Sequence, residues 1–466
     1  MLMETTAYQA PESIETQPPA TPGLTSREVP ISAKVPFTAL SVADGLYGLV
    51  FLAAALIRLT GLGQIPLSPA EAKEALAAWQ LLQAGQHIIE IESPAYFTLT
   101  SLLLPFFGTS DITARMVAVL FGLGLVLLPW LLRDRLGRIG TLVTAALFAV
   151  SPLYTSVSRT AGGEAIALFA ILLAAIAALG LQYDRGRHWL YVLAVALGLG
   201  LTSSPLIYSG LVTLAIAWWL LRKINPVLST AADLPGSERA NCPLRQIRPE
   251  REELIKAFTV GAVVFFALST RFLTYLSGIG SAAQLLGDWL AQFSLQGDLQ
   301  ALLMPFLVLA RYEVVLLPLG IFAVLWSIWR NHPLGTLFTY WLLTGLILIL
   351  LQRGVINNAL LVPLPSYLLL GLTTERLLRR GMTRWTGVTT GVVVLLGAIV
   401  LVNIARFLRV SLTEQQILNL WIALMALSVA ALAIYYFWTA HENAILQGVW
   451  LAVLLLLLLF QWGTAW

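Results

Sequence analysis

Two stretches carry most of the side chains that could do chemistry. Pro66 to Pro94 holds Glu71, Lys73, Glu74, Glu90 and Glu92; Ser158 to Glu164 holds Arg159, the turn Ala161-Gly162-Gly163, and Glu164 itself. Both lie beside long apolar runs. A carboxylate at such an edge can take a proton from a hydroxyl, and cations beside it can hold a phosphate and offset its charge. The turn after Arg159 can bring backbone N–H groups to an anion. Lys73, Arg271 and Arg353 are further cations able to converge on a phosphate.

Each of these residues also has a structural reading. Glu71 fits a capping box. Glu74, Glu90 and Glu92 fit solvated acids, and Glu164 suits the positive end of a helix. Arg159 can snorkel to lipid headgroups or pair with Glu164, and Lys73, Arg271 and Arg353 can be interfacial anchors. Trp79, Tyr96, Trp289 and Tyr312 suit the aromatic belt of a membrane interface, or a sugar stacked on a ring.

The elements that must position these groups follow from local pattern. Ser68-Pro69-Ala70-Glu71 reads as a helix start, with a capping serine, proline at the first helical position and a carboxylate that reaches back to the cap. The helix is predicted to run through Trp79 to about Ala84 and stop at Gly85. Ala75, Leu76, Trp79 and Leu82 share one face, with Glu71, Lys73, Glu74 and Gln80 largely off it, the pattern of an amphipathic helix lying on a membrane surface. Tyr96 to Phe107 is apolar but shorter than the roughly 20 residues that a span needs, and is read as a second surface or re-entrant helix.

The rest of the chain is membrane scaffold. It is 58% hydrophobic and 11% charged over 466 residues, where soluble domains carry about 25% charged residues. The expected fold class is therefore all-α and polytopic, with thirteen transmembrane helices near 39–60, 112–132, 139–157, 164–183, 188–204, 205–221, 257–276, 311–329, 334–351, 358–375, 386–403, 416–438 and 444–462. Ser203-Ser204-Pro205 divides the fifth from the sixth. Residues 1–36 read as a disordered cytoplasmic tail without signal-peptide character. The domain plan is that tail, a core over 37–222 with an outer loop at 63–111, a cytoplasmic connector at 223–256 and C-terminal spans over 257–466.

Thirteen spans with a cytoplasmic N-terminus put nineteen of the 28 basic residues inside, and the C-terminus outside a plasma membrane. The net charge of +4 is spread over short loops, which excludes a nucleic-acid patch. Cys242 is the single cysteine and the four histidines are scattered, so no metal site is expected. The spans lack mid-helix carboxylates, which argues against an ion-coupled pump.

The order of features resembles the GT-C glycosyltransferases, of the protein O-mannosyltransferase and aminoarabinose-transferase type. The residues that carry the likeness are Ala70-Glu71, Ser93-Pro94-Ala95-Tyr96, Gly108 to Arg115, the basic turn Arg133–Arg138, Ser151-Pro152 through Ser158-Arg159 to Glu164, and Thr202-Ser203-Ser204-Pro205. The resemblance covers about 37–222, and Ala70 stands where the family has its first-loop catalytic Asp. It implies transfer of a sugar from a polyprenyl-phosphate donor to a hydroxyl at the outer face, with no separate cofactor. Glu71 and Glu164 are then the expected catalytic acids; Lys73, Arg159, Arg271 and Arg353 hold the donor phosphate; Glu92 and Tyr96 contact acceptor or sugar. The expected partners are membrane lipid, the lipid-linked donor, a protein, lipid or glycan acceptor, and potentially a partner subunit. Two alternatives stand beside this reading: a degenerate relative that binds lipid or a partner, and a lipid transporter.

Overall fold

A computed structural model describes residues 42–81, 83, 91–183, 186–224, 251–293, 299–313, 316–330, 332–352, 355–379, 381, 383–409, 425, 444–456 and 458–463. The predicted tail, residues 225–250 of the connector, all of the span 416–438 except residue 425, Glu90 and Arg353 lie outside these residues, as does the expected stop at Gly85.

Among the described residues there are helices and no strands. In order they are α1 Val42–Leu59, α2 Pro69–Gln80, α3 Pro94–Phe107, α4 Asp111–Leu127, α5 Arg133–Leu136, α6 Arg138–Val150, α7 Pro152–Ser158, α8 Glu164–Tyr183, α9 His188–Gly200 and α10 Leu206–Ile224. There follow α11 Arg251–Ser269, α12 Gly278–Ala291, α13 Leu299–Tyr312, α14 Leu316–Arg330, α15 Pro333–Leu351, α16 Pro363–Leu378, α17 Arg384–Arg409 and α18 Ala444–Gly463. Seven described helices are long and apolar enough to cross a membrane, and α6 with α7 makes an eighth span bent by 60°. Helices α3, α9, α17 and the apolar parts of α13 and α14 are shorter apolar pieces. The protein is a multi-pass membrane protein.

The break inside the eighth span has a local cause. Pro152 has no N–H, so the carbonyl of Phe148 loses its helical donor; Ser151 caps the new helix α7 through the N–H of Tyr154. A second break, at residues 201–205, separates α9 from α10 where Ser203-Ser204-Pro205 predicts it. The most deeply sunk span is Ile356–Leu378, which contains α16; α8, also largely buried, packs against α4, α9 and α10. The main core joins Phe148 and Tyr154 of the bent span to Trp341 on α15 and Tyr367 on α16. At one end of the bundle Arg133 pairs with Asp44 at 3.3 Å, and Glu375 accepts from the N–H groups of Ile139 and Gly140. The chemistry-bearing stretches meet at the other end.

Candidate active site

Helix α2 starts as its sequence predicts, but it faces the other way. Ser68 and Glu71 form the reciprocal capping box, with Pro69 in the first turn. The buried residues are Glu71, Glu74, Ala77 and Ala78, whereas Leu76 is exposed and Ala75 and Trp79 are half-buried. The predicted surface helix therefore turns its acidic face into the protein. The reason is a charge partner on α4. Arg115 donates from Nε to Glu71 Oε1 at 2.8 Å and from Nη2 to Oε2 at 3.0 Å. The remaining guanidinium donors reach the carbonyls of Leu62, Ile65 and Pro66. One arginine thus ties the loop before α2, α2 and α4 together.

Glu71 is saturated by this arrangement. Its carboxylate also accepts the N–H of Ser68 and, across 90 residues, the N–H of Ala161, both at 2.9 Å. Burial alone would raise its pKa, but the Arg115 bonds and the two backbone N–H groups outweigh it and hold the group at about 2. A carboxylate this acidic, with its lone pairs occupied, is a poor base at neutral pH. Glu71 is placed as the keystone of the site rather than as its proton acceptor, and Ala70 beside it is exposed.

Glu74, one turn on, has the opposite environment. It is 8% exposed, and its Oε2 has no hydrogen-bond partner among the described residues. Desolvation is the main cause that raises its pKa, to about 8; the charges of Glu92 and Glu164 add to it, while the N–H of Ser93 and the charge of Lys73 oppose it. Glu74 is thus a carboxyl with a free oxygen and a proton affinity near that of a working base. The signal for it was in the sequence. A position three after a capping-box acid shares that acid's face, so burying Glu71 buries Glu74.

The structure brings Glu92, Glu164 and Lys73 within electrostatic reach of Glu74. Lys73 pairs with Glu92 at 2.6 Å, on the exposed side. Glu164, at the first turn of α8, accepts from Asn357 at 3.3 Å and forms no ion pair with Arg159. Three segments close around this cluster at Gly163. A Cβ there would run into the carbonyl of Ser203 and the hydroxyl of Ser93, so only glycine permits the approach. Ala95 N–H bonds the Thr202 carbonyl at 2.8 Å at the same junction.

The cations are placed as follows. Arg159 is half-buried, donates to the carbonyl of Ile57, and has no acidic partner among the described residues. Desolvation, then the nearby charge of Arg115, lowers its pKa. Such a cation is favoured by the arrival of an anion. Arg271 follows α11 in a left-handed turn, with φ of 47°, 53° and 68° at Arg271, Phe272 and Leu273. Its Nε donates to Ser101 of α3 at 2.8 Å. Three bulky residues in this region store strain, a feature that concentrates at functional sites. Tyr96 does not fit its expected role. It is 0% exposed and its hydroxyl donates to the Ala114 carbonyl at 2.7 Å, so it is a packing residue that no sugar can reach. Among the described residues no group of three or more His, Cys, Asp or Glu side chains is arranged to hold a metal ion.

Comparison with known proteins bears on this arrangement. A family model for dolichyl-phosphate-mannose-protein mannosyltransferase matches residues 92–231. No curated protein sequence matches the chain. Among solved structures, ArnT from Cupriavidus metallidurans in the apo state is 15% identical with a TM-score of 0.58, over 91% of this chain and 77% of that one. The same protein bound to undecaprenyl phosphate gives 15% identity and a TM-score of 0.56, over 90% and 78%. The fold is that of the GT-C membrane glycosyltransferases. Within this GT-C fold the family-matched segment carries Arg115, Arg159 and Glu164, while Glu71 and Glu74 stand just before it.

Proposed function

We propose that the chain transfers a sugar from a polyprenyl-phosphate donor to a hydroxyl acceptor at the outer face of the membrane. The observation that carries the reading is the buried oxygen of Glu74, unpartnered among the described residues, at the end of the bundle that also holds Arg159, a cation with no acidic partner among them. In this reading ionised Glu74 accepts the acceptor's proton as the hydroxyl attacks the sugar carbon. The bond from that carbon to the phosphate oxygen breaks, and the polyprenyl phosphate leaves with the electron pair. Arg159, Arg271, Lys73 and Arg353 are assigned to the phosphate, and Glu164 and Glu92 to the polar wall that keeps Glu74 basic. Glu71 holds the site together. The donor fits a membrane enzyme because the bilayer delivers its lipid, and the ArnT structure with undecaprenyl phosphate supports a lipid phosphate in this fold.

The outer-face assignment rests on charge. Arg133, Arg135, Arg138, Arg376 and Arg379 gather at the opposite end, around Glu375 and Asp44, and basic ends stay in the cytoplasm. The test is mass spectrometry of surface glycans and glycoproteins in a deletion strain complemented with wild type or with Glu74→Gln. Loss of one glycan, restored by wild type and not by Glu74→Gln, is the expected result. Restoration by both removes Glu74 from the chemistry.

One observation favours a second reading. Glu71 is fully committed to structure, and with Ala70 at the position where the resemblance puts the family's acid, this fits a degenerate relative that binds lipid or a partner subunit without turnover. A deletion strain with unchanged glycans, and a purified protein that still binds polyprenyl phosphate, would support it.

A further inference from the structure

Arg58 is 0% exposed at the last turn of α1 and belongs to none of the groups used above. Its Nη2 donates to the Phe148 carbonyl at 3.0 Å and its Nη1 to the Ala149 carbonyl at 2.9 Å, with a weaker bond to Ala54 in its own helix at 3.3 Å. No acidic partner stands beside it among the described residues, and its Nε is unpartnered. A buried arginine this poorly compensated is costly to keep.

Its two targets explain its place. Phe148 O is the carbonyl that Pro152 orphans, and Ala149 O is its neighbour at the end of α6, where a cation is favoured by the helix dipole. Arg58 therefore supplies the donor that the proline removed. The far side of the break is fixed independently. Ser151 donates to Glu313 at 2.7 Å, and the Tyr154 hydroxyl donates to the Leu360 carbonyl at 2.9 Å. The bent piece α7 ends on Arg159, which bonds the carbonyl of Ile57, the residue before Arg58. The end of α1 thus grips the bent span at its break and again just past its last residue, through adjacent residues.

We propose that Arg58 is a positioning residue: by standing in for the missing N–H of Pro152 it fixes the 60° bend that delivers Arg159 to the anion site. The proposal rests on the reading of Arg159 as a phosphate ligand, and its test separates the two. Affinity for a polyprenyl phosphate in detergent micelles is measured for wild type, Arg159→Ala, Arg58→Met and the double variant, with Arg58→Lys as the form that keeps the charge but cannot fork across two carbonyls.

Arg58→Met is expected to weaken binding about tenfold in the wild-type background and hardly at all once Arg159 is gone, as for two residues acting through one contact. Arg58→Lys should fall between wild type and Arg58→Met, and it serves alone if Arg58→Met does not fold. Amide exchange over residues 153–161 reports the bend without any ligand, and should be faster in the Arg58 variants. Equal, additive losses in both backgrounds, or unchanged exchange there, would overturn the positioning role. Wild-type affinity in Arg159→Ala would instead overturn the phosphate reading, and the exchange result would then decide for Arg58.

Discussion

Replacing Glu74 by glutamine should make the protein more stable and less active, and the stability gain should depend on pH in a defined way. The carboxyl has an ordinary value of 4.5, raised to about 8 in the folded protein. Below pH 4.5 it is neutral in both states and contributes its full share to stability. As pH rises the unfolded chain ionises first, so the contribution is lost progressively until the folded carboxyl ionises too, near pH 8. At 1.36 kcal/mol per unit, the loss is roughly 3 kcal/mol at pH 7 and roughly 5 kcal/mol above pH 8. An amide has the same shape and no such loss. Thermal unfolding in detergent, from pH 5 to 8.5, should therefore show Glu74→Gln overtaking wild type by a margin of several degrees that widens with pH and levels off above 8. Parallel curves across that range would refute the idea that Glu74 is a desolvated carboxyl.

Other outcomes follow from the same geometry. Glu71→Gln breaks a buried bidentate pair and leaves Arg115 uncompensated, so it should cost about 3–5 kcal/mol and lower the unfolding temperature at neutral pH. Because the folded pKa of Glu71 is depressed to about 2, the wild-type advantage over Glu71→Gln should persist above pH 4.5 and vanish as pH falls through about 2. Gly163→Ala places a methyl group against the Ser203 carbonyl and the Ser93 hydroxyl, and should cost at least about 1–3 kcal/mol in a denaturation series. Arg159→Ala removes a half-buried cation with no acidic partner among the described residues, and should weaken polyprenyl-phosphate binding at least about tenfold with little change in unfolding temperature.

Much of the architecture was legible in the chain. The capping box of α2, the break at residues 201–205 and the clustering of basic residues at one end all follow from residue type and spacing, whereas the bend at Pro152 falls inside the span read as a continuous 139–157. The rotation of α2 was not. Its apolar stripe points to a lipid surface on pattern alone, but the partner that reverses it, Arg115, lies 44 residues away on another helix. For the same reason Glu71 and Glu74 sit in environments that the sequence does not tell apart. A capping carboxylate and a second acid one turn on look alike until a guanidinium and the Ala161 N–H saturate one and desolvation isolates the other. Tyr96 was misplaced because an aromatic next to a proline loop suits an interface, whereas here the ring fills the space between α3 and α4.

The central claim is that Glu74 takes a proton from the acceptor as sugar leaves a lipid phosphate. It is tested most directly by following polyprenyl phosphate released from a polyprenyl-phosphate sugar by purified protein in proteoliposomes, between pH 6 and 9. Wild-type turnover should rise with pH and level off above about 8, and Glu74→Gln should fall by about 100-fold or more at every pH. Undiminished release in Glu74→Gln, or a wild-type rate indifferent to pH across that interval, would contradict it.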